Sequence, residues 1–185
     1  MANWVASVLA ALLIGIPVLS APAVESPQQI KHDIQQCYHL QAAALDAGNA
    51  KRYMNYCSKD FHDVGSQGAY TDYVSTLRLV HTTVTMVVHL RAQFNVLNIV
   101  AKGDREIVLC HEKMQGKVRD ATGKLSSWSI SGDVIDEWVH LPEGWRKIVS
   151  RSVRARTKIG GKRPVWDHQP EMWPSSPRRA GASTG

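Results

Sequence analysis

The sequence predicts an α+β fold in which helices come first and an antiparallel sheet follows, within one domain. Three observations carry this. Ile30, Ile34, Cys37, Tyr38, Ala44 and Leu45 recur at the spacing of one helical face. From about Thr85 the apolar period switches to two, the repeat of a strand with one face buried. Glycine-bearing turn signals then separate the alternating runs, as hairpins require.

The first helix is well marked at its start. Ser26 offers a capping hydroxyl, Pro27 suits the first helical position, and Gln29 follows three residues after the cap. Gly48 is the natural stop. A short second helix should turn Tyr53, Met54 and Cys57 inward, and the glycines in Phe61–Gly68 mark a loop. Thr71 can cap a third helix carrying Val74, Leu77 and Val80. Strands are expected over Phe94–Ala101 and Arg105–Lys113 about a Lys102-Gly103-Asp104 turn, then Ser126–His140 and Trp145–Arg154. A centred register faces Leu97 with Leu109, Ile99 with Ile107 and Asn95 with His111. Between the last two strands, Pro142 and Gly144 mark a type I turn. Large apolar residues occur on both strand faces, and one helical layer covers only one, so the other face calls for a partner copy or the C-terminal tail.

With 185 residues there is room for one domain plus short flanks, and 44% hydrophobic residues excludes a disordered chain. Residues 1–23 read as an export signal: Trp4–Ser20 is almost wholly apolar and Ala21-Pro22-Ala23 fits a small-x-small cleavage site. No lysine or arginine precedes the apolar run, and an uncleaved membrane anchor over residues 4–20 is the competing reading. The expected location is therefore periplasmic or secreted, with membrane contact only through an uncleaved segment. The domain occupies 24–156, and 157–185 is expected to be a disordered Pro/Gly-rich basic tail. From Arg151 onward eight basic residues meet two acidic ones, so the net charge of +6 belongs to this end. Without a stacking or groove-reading motif, that charge is a weak argument for nucleic acid.

Export would permit disulfides. If two antiparallel helices meet near Gly48, Cys37 and Cys57 come level, and a bond there would close a loop worth about 3 kcal/mol. Three buried thiols are the plain alternative, with Cys110 in an apolar strand. The eight histidines are scattered, and no Cys-x-x-Cys, helical zinc motif, phosphate loop or Gly-x-Ser-x-Gly is present, so no metal or cofactor is expected.

Asp136-Glu137-Trp138 followed by Gly144-Trp145-Arg146-Lys147-Ile148 resembles the closing hairpin of small exported members of the nuclear transport factor 2-like superfamily. Phe61-His62-Asp63 with a nearby glycine resembles the loop after that fold's second helix, and the likeness spans residues 27 to 154. The resemblance implies a cystatin-like cone, a bent sheet wrapped around the first helix with a pocket between. It also implies a homodimer through the open sheet face. Its ketosteroid isomerase-like and SnoaL-like members do proton-transfer chemistry in that pocket, whereas others bind ligands or partners. The first reading here is a domain that binds a small apolar ligand or a protein partner; the alternative is an isomerase, lyase or hydratase acting by general acid–base catalysis.

Asp63 is the first catalytic candidate, since the loop can bring it to a pocket mouth beside Tyr56 or Tyr70; a turn-capping aspartate is the plain alternative. His111, in an apolar strand, is the second, set against a hydrogen-bonded edge histidine. Tyr53, Tyr56, Tyr70 and Trp128 are the expected pocket lining, although Trp128, like Trp138 and Trp145, alternates with aliphatics as core residues do. Asp133 and Asp136 take opposite strand faces, so at most one can enter a pocket.

Overall fold

A computed structural model describes residues 26–163 except Ser66 and Ala121; residues 1–23, expected to be an export signal, and most of the expected tail lie outside the described residues. The order is α1 (Pro27–Asp46), α2 (Ala50–Met54), β1 (Cys57–Val64), β2 (Tyr70–Asp72), α3 (Tyr73–Met86), β3 (Val88–Lys102), β4 (Arg105–Arg119), β5 (Leu125–Leu141) and β6 (Gly144–Ile159). One six-stranded sheet runs β2-β1-β6-β5-β4-β3, with the helices against one face. β1 lies parallel to β6 while every other pair is antiparallel, so the sheet is mixed where a purely antiparallel one was expected.

The cap of α1 forms as its residues dictate: Ser26 Oγ accepts from Gln29 N at 3.2 Å. Ile34, Tyr38, Ala42 and Leu45 then bury one stripe against Leu90, Phe94, Val108, Cys110 and Trp138 of the sheet. Gln35 ties α1 to β3 at both ends of its amide, donating to Phe94 O and accepting from Val96 N.

Four local expectations change. Phe61–Val64 is not a loop but the end of β1, because pairing with β2 and β6 satisfies its backbone. Asp72, rather than Thr71, caps α3, accepting from Ser75 N at 2.7 Å. The β3–β4 register begins with Lys102 facing Arg105 and shifts at Leu97, so Ile99 faces Val108 rather than Ile107; Asn95 still faces His111 beyond the bulge. The two-residue turn needs positive φ, which Gly103 supplies at 67°. The last strand also runs past its expected end, to Ile159, which takes residues 157–159 out of the tail.

Gly132 fixes how closely β6 follows β5. A Cβ at this position would overlap the Arg154 carbonyl oxygen and stand 3.0 Å from Ala155 Cα, so the strands would have to part. Gly132→Ala is therefore expected to cost about 1–3 kcal/mol in urea unfolding. A loss under about 0.5 kcal/mol would mean that the strands yield freely.

Candidate functional site

Residues paired across a sheet share a face, so the register assigns the inward set directly. From β1 to β4 one row reads Asp63, Ser150, Asp136 and Val108. A second inward row reads Phe94, Glu112, Gly132 and Ala155, from β3 to β6. Phe94 is buried under α1, whereas Ala155 is exposed. Gly132 and Ala155 carry little side chain, and the half-buried Glu112 stands beside Gly132 in this inward row.

Beneath the helices lies a polar chain with almost no solvent contact. Lys147 Nζ sits 2.6 Å from Asp136 Oδ2, and the two side chains are 2% and 0% exposed, so this is a sheltered ion pair. Tyr38 donates its hydroxyl to the same oxygen at 2.5 Å and accepts from Trp138 Nε1 at 3.1 Å. The Lys147 ammonium also lies over the Tyr38 and Trp138 rings, at 4.8 and 5.4 Å from their centroids. Its backbone N–H donates to Tyr56 O, anchoring the strand to the end of α2. Burial alone would pull the Lys147 pKa down, but Asp136 reverses this and holds it well above its ordinary value. Two buried acceptors, Asp136 Oδ1 and Gln41 Oε1, take no hydrogen bond from the described residues.

The titratable groups on and against this inward face are shifted. Burial, helped by the Asp136 and Asp63 charges and opposed by Lys147, pushes Glu112 from 4.5 up to about 7. No hydrogen bond from the described residues reaches its carboxylate. Burial also raises Asp63, and Asp136 adds to the rise. Tyr53 is raised well beyond the ordinary phenol, by burial first and by the Glu112 charge among others. These shifts assemble a carboxylate that gains and loses its proton near neutrality and a phenol that keeps its own.

Of the residues proposed from sequence, Asp63 and Tyr53 thus belong to one inward cluster. Tyr56 is partly buried against the core beside them, and Trp128 packs at the far end of the same core. Tyr70 stands outside this cluster: it is 67% exposed and stacks on His62 at 5.1 Å, because β2 is an edge strand. His111 is on the opposite face. Its Nδ1 lies 2.6 Å from Asp133 Oδ1, its Nε2 lies 3.2 Å from Ser131 Oγ, and Arg154 holds the other Asp133 oxygen. His111 therefore joins β4 to β5, and the His111 contact, with Arg154, keeps the Asp133 pKa low. Asp133 and Asp136 do take opposite faces.

The candidate Cys37–Cys57 bond is not formed, and the alternative of free thiols holds. α2 ends at Met54 and Cys57 opens β1, where its sulfur accepts from Gln41 Nε2 at 3.8 Å; both cysteines are free thiols. Burial pushes Cys57 up to about 12, which keeps it a thiol. Among the described residues no cluster of histidine, cysteine and carboxylate could hold a metal, and no helix is long and apolar enough to cross a membrane.

Comparison of the whole fold supplies the wider setting. A protein from Kribbella flavida, Kfla4162, superposes with a TM-score of 0.61 at 10% identity, over 72% of this chain and 95% of that one. A nuclear transport factor 2-like protein with a cystatin-like fold from Novosphingobium aromaticivorans gives 0.50 at 13% identity, over 66% and 79%. This chain has the nuclear transport factor 2-like fold. A type 2 hexachlorocyclohexane dehydrochlorinase (LinA) shares it, with a TM-score of 0.56 at 14% identity over 71% of this chain and 90% of that one. No family profile matches the sequence, and no curated protein is significantly similar to it. Such low identities carry the nuclear transport factor 2-like architecture and leave the chemistry to this chain's own side chains.

Sequence reasoning missed Glu112, Lys147 and the Tyr38–Asp136 contact. A signal existed for the first two. In Cys110-His111-Glu112-Lys113-Met114 and Trp145-Arg146-Lys147 the charged residue holds the parity of the apolar ones, so strict alternation would have put it inside.

Proposed function

We propose that this protein is a small-molecule enzyme of the isomerase, lyase or hydratase kind, with Glu112 moving the proton. The single observation that carries the reading is the half-buried Glu112 carboxylate on the inward face, its pKa raised to about 7 by burial, with no hydrogen bond from the described residues to fix its state. Such a group works as a base on one side of neutrality and returns the proton on the other. A carbonyl substrate would place its α-carbon at Glu112 and its oxygen toward the Tyr53 phenol. As the proton leaves, negative charge gathers on that oxygen, where a phenol that keeps its proton can donate to it. The buried Lys147–Asp136–Tyr38 chain lies behind as a fixed framework rather than as a reacting group. That a dehydrochlorinase shares the fold agrees with proton removal in this cone.

The test is proton exchange. A panel of small ketones, enones and β-hydroxy acids is incubated with the protein in deuterated water, and exchange or elimination is followed by NMR. Catalysed exchange that Glu112→Gln abolishes supports the reading. Binding by thermal shift without exchange would leave the non-catalytic alternative, a receptor for a small apolar ligand. Two companion proposals rest on sequence and surface. Export follows from residues 1–23. A homodimer would use the apolar half of the outer sheet face, where Leu97 and Val100 are 53% and 55% exposed.

A further inference from the structure

The other half of that outer face is built differently. Four of the eight basic residues from Arg151 onward, Arg151, Arg154, Arg156 and Lys158, belong to β6, and of these only Lys158 was expected in the tail. By register, Arg154, Arg156 and Lys158 point away from the helices, opposite Asp133, Ser131 and Ser129 of β5. On the far side of β5, Ser131 faces Lys113 and Ser127 faces Lys117, with Arg119 next outward on β4. The result is a trough with a serine floor and two basic rims. All six cations are exposed, and Asp133 is the one carboxylate facing outward on these stretches, already held by Arg154 and His111. Lys113, Lys117, Arg156 and Lys158 make no ion pair among the described residues.

We propose that this trough binds a linear polyphosphodiester through its backbone, independently of the inward site. Alternate residues on a strand stand about 6.7 Å apart and next-but-one strands about 10 Å apart. A rim of cations at that interval suits one phosphate per repeat of an extended chain, and the low serine floor lets the chain lie between the rims and take hydrogen bonds. No tryptophan, tyrosine or phenylalanine occupies an outward position in this half, so there is no platform for stacked bases and recognition falls on the phosphates. One-sign charge also disfavours a second copy on this half, since like patches would meet.

Fluorescence anisotropy of the full chain with labelled oligothymidylate, competed by poly(glycerol phosphate), tests the proposal. The variant carrying Lys113→Ser, Arg156→Ser and Lys158→Ser is compared with one carrying Lys31→Ser, Lys51→Ser and Arg52→Ser, which removes equal charge from the helices. The sheet variant should bind about tenfold or more weakly at low salt, and its slope of log affinity against log salt should be shallower by about 2, near 0.7 for each cation lost. The helix variant should change little, and poly(glycerol phosphate) should compete. Equal losses in both variants, or no binding by the parent chain, would overturn the proposal. So would failure of poly(glycerol phosphate) to compete, because bases would then be required. Capture by anionic phosphatidylglycerol vesicles with neither soluble polymer bound would overturn it in favour of a membrane.

Discussion

Lys147→Met is expected to lower stability by about 3–5 kcal/mol, measured by urea unfolding at neutral pH. Methionine keeps most of the volume, so the loss is electrostatic: the Asp136 carboxylate stays at 0% exposure without its cation. Adding Asp136→Asn removes that charge while leaving an acceptor for the Tyr38 hydroxyl, so the double variant should recover more than half of the loss. A single-variant cost below about 1 kcal/mol would place the pair in the range of solvated ion pairs and contradict the burial described here.

Glu112→Gln should reduce the proposed exchange activity by about 10²–10⁴-fold, the range for loss of a positioned acid or base. The parent rate, where removal of the substrate proton limits, should rise with pH through about 7 as the carboxylate ionises, and the residual rate of the variant should lack that step. The same substitution has an opposite effect on stability. Because the folded-state pKa lies above the ordinary 4.5, the native chain keeps a proton that the unfolded chain gives up. Stability contributed by this group therefore falls as pH rises from about 4.5 to about 7, and the full penalty persists above that. Glutamine cannot ionise, so the variant should be more stable than the parent at pH 8 and gain little or nothing at pH 4.5 (values chosen either side of the window). An activity loss at every pH with no such pH dependence in stability would mean that glutamine disturbs the packing around position 112 rather than removing a proton acceptor.

Much of the architecture was readable from residue order. The Ser26-Pro27 cap, the α1 stripe and the switch to a two-residue period are local properties, and all form as their chemistry requires. What escaped were pairings between distant segments. Phe61–Val64 carries turn-like neighbours and becomes a strand only because β6, from the far end of the domain, lies alongside it. Cys57 changes from helix to strand for the same reason, and the disulfide geometry goes with it. At the candidate site, Asp63 was found because a carboxylate in an expected loop invites suspicion, and Tyr53 because the second helix was expected to turn it inward. Glu112 and Lys147 were passed over although each shares the parity of its apolar neighbours, Cys110 and Met114 for one and Trp145 for the other. His111 was misplaced by a question of parity: it alternates with Cys110 and Glu112, and one step decides which side of the sheet it serves.

The strand made last lies third in the sheet, between β1 and β5. A nascent chain that has reached Leu141 can zip β3, β4 and β5 together, but β1 must wait with its edge unmatched until Gly144–Ile159 arrives. Completion of this domain is thus a late, long-range event, with folding slow for its size because so many contacts join remote parts of the chain. A product truncated before β6 would expose two raw strand edges, the arrangement most prone to pairing with another molecule.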